Sequence, residues 1–170
     1  MDQAYGEFYG KTAIPLVKKY KNLVILKSLS KFAGLAGARI GYLIANESFS
    51  RIFDAIRFPM GVSYLSYKLA ETVLTNDQQW MNKQVEMIKN ERVRLSQALR
   101  ALGFFVYPSE ANFLLVTMGK NAKTICQKLK SNGMLVRDKS SKPFLSGCVR
   151  VTVRSPREND QLIDTLRKIL

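Results

Sequence analysis

The sequence predicts a mixed fold, with an α/β portion first and an α+β unit after it. Three observations carry this reading. Two short, unbroken apolar runs flank a glycine-bearing loop near the start, and a long amphipathic segment occupies the middle. Strand-like and helix-like stretches then alternate to the end.

Ile14 to Tyr20 suggests a short helix started near Pro15. Leu23-Val24-Ile25-Leu26 is continuously apolar and reads as a strand buried on both faces, as in a parallel sheet. Residues 28–38 form a loop containing Gly34 and Gly37, and Ile40 to Ala45 read as a second buried strand. Binding residues in such sheets gather just beyond the carboxyl ends of strands, where Ser28 to Lys31 lie. Residues 47–58 are expected to be helical until Pro59-Met60-Gly61 breaks the pattern, and a further helix covers 65–74.

The longest expected helix runs from Asp77 to Leu102 and joins two domains. Met81, Val85, Ile88, Leu95, Leu99 and Leu102 share one face, Arg92 interrupts it, and Gly103 caps its end. Phe104–Tyr107, Phe113–Thr117 and Met134–Arg137 read as strands, with a helix over 121–132 closed by Gly133. In Val149-Arg150-Val151-Thr152-Val153 the valines take one face, leaving Arg150 and Thr152 on the other. Ser155-Pro156-Arg157-Glu158 is a capping box with proline at the first helical position. It opens a last helix with Leu162, Ile163, Leu166 and Leu170 inward.

The 170 residues are 46% hydrophobic and 24% charged, which predicts a packed globular chain. No apolar run reaches the length of a membrane span, and no basic-then-apolar leader opens the chain. Cys126 and Cys148 have no metal-ligand spacing and read as reduced thiols of a cytoplasmic protein. The absence of histidine excludes serine–histidine and cysteine–histidine catalysis and removes the commonest metal ligand, so no metal site is expected. The formal charge of +14 comes from 27 basic and 13 acidic residues. These basics are scattered rather than striped with aromatics, so a generally basic surface is expected; small anionic ligands fit the charge equally well, and neither nucleic acid nor a membrane is an expected partner.

One ensemble carries specific chemistry. Ser28, Ser30 and Arg39 offer hydroxyls and a guanidinium for a phosphate, Lys31 offers an amine, and Asp2 and Tyr5 offer a carboxylate and a phenol. Ser28-Leu29-Ser30-Lys31, with Gly34-Leu35-Ala36-Gly37-Ala38-Arg39-Ile40-Gly41-Tyr42, resembles the lysine segment of the fold-type I pyridoxal-phosphate aminotransferases of class I/II. Asp2-Gln3-Ala4-Tyr5-Gly6-Glu7-Phe8 is similar to a segment which that family places upstream. Pro108 to Leu114, Gly133 to Asp138 and Gly147 to Val153 are most similar to the histidinol-phosphate aminotransferases.

The resemblance implies that residues 1–75 are the C-terminal part of the pyridoxal-phosphate-binding large domain and that 76–170 are the small C-terminal α+β domain. It implies that Lys31 is the Schiff-base lysine. Asp2 would meet the pyridine nitrogen and Tyr5 the ring oxygen, while Ser28, Ser30 and Arg39 hold the phosphate. Arg150 would bind the substrate's anionic group. Asn112 would contribute or only shape a turn, and Arg137 would line the cleft or pair with Asp138. The implied reaction belongs to histidine biosynthesis: histidinol phosphate and 2-oxoglutarate give imidazole-acetol phosphate and glutamate. The family acts as homodimers.

Gln3 stands where the family usually has glutamate, and Arg154-Ser155 replaces a usual glycine–threonine pair. An arginine there also occurs in the related threonine-phosphate decarboxylases, which keeps that reaction as an alternative. A non-enzymatic basic binding module is the second alternative. The resemblance starts at Asp2, so the family's early strands and the strand that would fix Asp2 are expected to be missing. The expectation is a truncated, split or fragmentary chain that binds cofactor weakly, transaminates poorly or not at all, and holds Asp2 on a loose terminus.

Overall fold

A computed structural model describes residues 1–59 and 61–170, so Met60 of the expected helix-breaking triplet lies outside the described residues. The chain divides into two compact units, Met1–Val85 and Glu86–Leu170, and the division falls inside one continuous helix.

The first unit contains α1 (Gly6–Tyr9), a 3-10 turn at Ile14–Lys18, β1 (Ile25–Ser28), a second 3-10 turn at Ala36–Ala38, and β2 (Gly41–Ile44). Helices α2 (Glu47–Ile56) and α3 (Tyr64–Asn76) follow, and α4 (Gln78–Ala101) continues into the second unit. Asn46 and Ser63 start α2 and α3 by accepting from the amides of Phe49 and Ser66, satisfying donors that a helix leaves free at its first turn.

Here the structure corrects two expectations. β1 and β2 pair antiparallel, with Ile25 opposite Ile44 and Ser28 opposite Gly41, and neither strand is buried on both faces. Ile25 packs with Ala13 and Val17, while Leu26 on the other face is half exposed. Among the described residues, only one face of this pair meets a cover, so burial alternates along β1, and Tyr42 on β2 is partly exposed as well. α2 buries none of its side chains, and Ile52 and Ile56 are exposed on it.

The second unit is a four-stranded antiparallel sheet covered by helices. Its strands are β3 (Phe105–Val106), β4 (Phe113–Thr117), β5 (Arg137–Asp138) and β6 (Cys148–Thr152), in the order β3-β4-β6-β5. Helices α5 (Ala122–Ser131) and α6 (Pro156–Ile169) pack with the end of α4 around a core containing Leu99, Val116, Leu129, Val149, Val151 and Leu166. The valine face of β6 is buried as its alternation requires, and both halves of the capping box at Ser155 and Glu158 form. Gly103 and Gly133 follow α4 and α5 with positive φ, a conformation that glycine adopts without strain.

Three expectations fail in this unit. Met134–Val136 is not strand, because only Arg137 and Asp138 reach pairing register with β6. Phe104 and Tyr107 fall outside β3. Leu170 is exposed rather than inward, capping α6 just past its last helical residue, Ile169. Among the described residues, no helix is long and apolar enough to cross a membrane.

Candidate functional site

The lysine loop is built on the end of β1. The Leu29 amide donates to the Ile40 carbonyl at 3.2 Å and the Leu35 amide to the Leu29 carbonyl at 3.1 Å, closing the loop at its neck. Leu29, Phe32 and Ala33 are buried and anchor it, which leaves Lys31 between them with its side chain exposed. Among the described residues, no partner holds the Lys31 amine. Ser28 Oγ accepts from the Ser30 amide at 3.3 Å. Arg39 closes the second 3-10 turn in the left-handed region, φ 52°, and donates to the Ala36 carbonyl at 3.2 Å. Ser28, Ser30, Lys31 and Arg39 therefore belong to one loop with a pinned neck.

Gly41 sets that neck. A Cβ there would lie 2.6 Å from the Lys27 carbonyl oxygen, far inside van der Waals contact with rigid backbone.

Asp2 is not loose, contrary to expectation. The exposed edge of β1 binds the chain start as a parallel partner, with Asp2 bridged to Leu26. The Met1 ammonium donates to the Val24 carbonyl at 2.6 Å, the Leu26 amide to the Met1 carbonyl at 2.9 Å, and the Gln3 amide to the Leu26 carbonyl at 2.9 Å. A free strand edge has donors and acceptors to fill, and this segment fills them. Bridged residues share a face, so Asp2 lies on the open face of β1 with Leu26 and Ser28. Its Oδ1 accepts from the Ala4 amide at 2.8 Å. Tyr5 stands at the head of α1, half buried.

The opposite face of β1 holds a pair that the sequence reading missed. Lys27 is buried, and its Nζ lies 2.7 Å from Glu7 Oε1. Tyr42 stands opposite Lys27 on β2. Burial, and secondarily the charge of Glu7, push its phenol above the ordinary value. The period-2 alternation after Ile25 could have placed Lys27 inward. No sequence signal would have named Glu7 as its partner.

The candidate substrate residues lie in the second unit. Arg150 projects from β6 on the face opposite the valines, directly across from Arg137 on β5 and Leu115 on β4. Its guanidinium carbon sits 5.3 Å from the centroid of the Phe113 ring. Its Nε is buried, and among the described residues it has no hydrogen-bond partner. Asn112 is half buried just before β4, and its carbonyl accepts from the Val153 amide at 2.9 Å. Arg137 is exposed and lies beside Asp138, whose carboxyl is held low by hydrogen bonds from Ser140. The first unit thus gathers the amine, hydroxyls, carboxylate and loop guanidinium, and the second gathers two arginines on adjacent strands.

The family profile described as Aminotransferase class I and II matches residues 1–166. The chain belongs to that family. It is 39% identical over 171 aligned positions to a histidinol-phosphate aminotransferase of Caldanaerobacter subterraneus subsp. tengcongensis, covering 100% of this chain and 48% of that protein. The chain spans about half the length of the curated relatives it matches. A histidinol-phosphate aminotransferase from Sinorhizobium meliloti, solved in complex with pyridoxal-5'-phosphate, superposes with a TM-score of 0.83 at 29% identity, over 99% of this chain and 48% of that one. An L-threonine-O-3-phosphate decarboxylase from Porphyromonas gingivalis gives 0.85 at 30% identity, over 99% and 53%.

Proposed function

We propose that this chain carries the lysine side of a pyridoxal-phosphate site and serves the transamination of histidinol phosphate with 2-oxoglutarate. The observation that carries the proposal is the pinned loop presenting Ser28, Ser30, Lys31 and Arg39, with Asp2 on the same open strand face as Ser28. Family membership and the histidinol-phosphate aminotransferases among its relatives support the substrate choice.

The donor set fits the cofactor group by group. Two hydroxyls and a guanidinium suit a phosphate, a carboxylate suits a protonated pyridine nitrogen, and a phenol suits the ring oxygen. When bound, the cofactor supplies an electron sink for the bond broken beside the substrate's amino group. Lys31 would hold its aldehyde and then move the proton at the substrate carbon. Asp2 would keep the ring nitrogen protonated, and Tyr5 would donate to the ring oxygen. Arg150 would orient the anionic end of either substrate, its buried Nε offering a donor that has no other partner among the described residues. Asn112 and Arg137 would line that end. Two free thiols, one of them buried, suit a reducing cytoplasm, and a homodimer is carried over from the family.

A threonine-phosphate decarboxylase is the second reading, supported by Arg154 and by the likeness to the Porphyromonas gingivalis enzyme. In this chain Arg154 pairs with Glu158 at 2.6 Å with its side chain largely exposed, a contact that is compatible with either reading.

Borohydride reduction with added pyridoxal phosphate, followed by peptide mapping, tests the site. A single adduct on Lys31 that disappears in Lys31→Ala is expected. Labelling spread over many lysines would overturn the assignment. Carbon dioxide released from threonine phosphate would select the second reading.

A further inference from the structure

We propose that Lys27 and Glu7 are positioning residues that clamp the segment carrying Asp2 and Tyr5 against the strand leading into Ser28, Ser30 and Lys31. The inference rests on the cofactor reading for what the clamp serves, but not for whether it exists.

The pair joins residues 20 apart in sequence through a 2.7 Å contact. The Lys27 side chain is 6% exposed and that of Glu7 23%, so the contact is shielded from water. Burying such a pair gains little stability over apolar side chains of similar volume, so its use is better sought in the arrangement it specifies. Glu7 Oε2 is buried with no partner among the described residues, which is poor economy for a bond selected for stability alone. The approach is also close: a Cβ on Gly6 would lie 3.1 Å from Lys27 Nζ.

Three segments meet at this point. Lys27 belongs to β1, Tyr42 faces it from β2, and Glu7 belongs to α1, whose head is Tyr5. Backbone bonds from Met1 and Gln3 hold only the first residues to β1. Within Ala4–Tyr9, Phe8 is buried, and the ion pair adds a charged tie from the turn to the strand. Alternation then does the rest. Lys27 locks one face of β1 from behind, so Asp2 and Ser28 keep their places on the other. A carboxylate and a phenol intended for fixed atoms of a flat ring need that support.

The test uses the full chain and the double variant Glu7→Leu/Lys27→Met, which removes both charges together. Amide exchange of residues 2–8 is measured without cofactor, and pyridoxal-phosphate affinity by absorbance. Exchange in that segment is expected to rise on the order of tenfold, with the rest of the chain unchanged. Affinity is expected to fall roughly ten- to a hundredfold. Lys27→Arg, which preserves the ion pair, is expected to retain both properties. If the double variant fails to fold, Glu7→Gln replaces it in the same comparison. Unchanged exchange in residues 2–8, or a Lys27→Arg protein as impaired as the double variant, overturns the clamp. If the parent chain forms no adduct at Lys31, the cofactor reading falls, and the exchange measurement alone still decides the clamp.

Discussion

Asn159 donates its side-chain amide to Glu91 Oε2 at 2.7 Å, joining the first turn of α6 to the middle of α4. The same amide donates to the Arg154 carbonyl at 2.9 Å, and Asn159 Oδ1 accepts from the Arg154 amide at 3.1 Å. Arg94 grips Glu91 with two bonds of 2.9 and 2.8 Å and reaches Asp160 at 2.5 Å. Asn159 is 2% exposed, so nothing from solvent can replace what it supplies. Asn159→Ala is expected to lower stability by about 2–4 kcal/mol, since it leaves several buried groups unmatched at once. Urea unfolding followed by far-UV circular dichroism measures this, and a loss under about 1 kcal/mol would show the network to be dispensable.

Acid should act on the same helix junction. Hydrogen bonding from Arg94, before any other cause, holds the Glu91 carboxyl below its ordinary value of 4.5. The Ser155 hydrogen bond does the same for Glu158. A carboxyl with a lowered folded pKa stabilises fully above its unfolded value and loses that contribution as pH falls through the folded one. Thermal midpoints are therefore expected to be insensitive to these two groups above pH 4.5 and to decline below it. Glu158→Gln should flatten the acid side of the profile. A profile identical to that of the parent chain would remove Glu158 from the account.

Phe144 sits at φ 62° with its side chain fully exposed. A left-handed conformation strains a residue bearing a Cβ, and this ring buries nothing in return. Phe144→Gly is expected to raise stability by about 0.5–1 kcal/mol, the relief being partly offset by the greater freedom of glycine in the unfolded chain. A lower unfolding midpoint for that variant would contradict the strain argument.

What the sequence made legible was local. The valine face of β6, the capping box at Ser155 and the glycines closing α4 and α5 are each decided by a few neighbouring residues. The loop from Ser28 to Arg39 was legible for the same reason, since its candidate groups are contiguous. Pairing was not. The apolar run at Leu23–Leu26 does not say whether its partner is parallel or how many faces are covered, and the antiparallel, one-sided β1 differed on both counts. Distance along the chain hid the rest: Glu7 with Lys27, Asn159 with Glu91, and the chain start with the edge of β1. Each of those joins groups whose proximity only the folded chain creates.

Gly41 gives the loop a property that selection could read directly. Its contact is with backbone, so no rotamer change can relieve a larger residue there. Gly37, in the same loop, has no atom within 4 Å of the place a Cβ would take. A library randomised at both positions and sorted on Lys31 labelling should keep glycine at 41 while 37 drifts. Two glycines that look alike in the sequence would then have opposite evolutionary fates, one fixed as the spacer of the loop and the other free to vary.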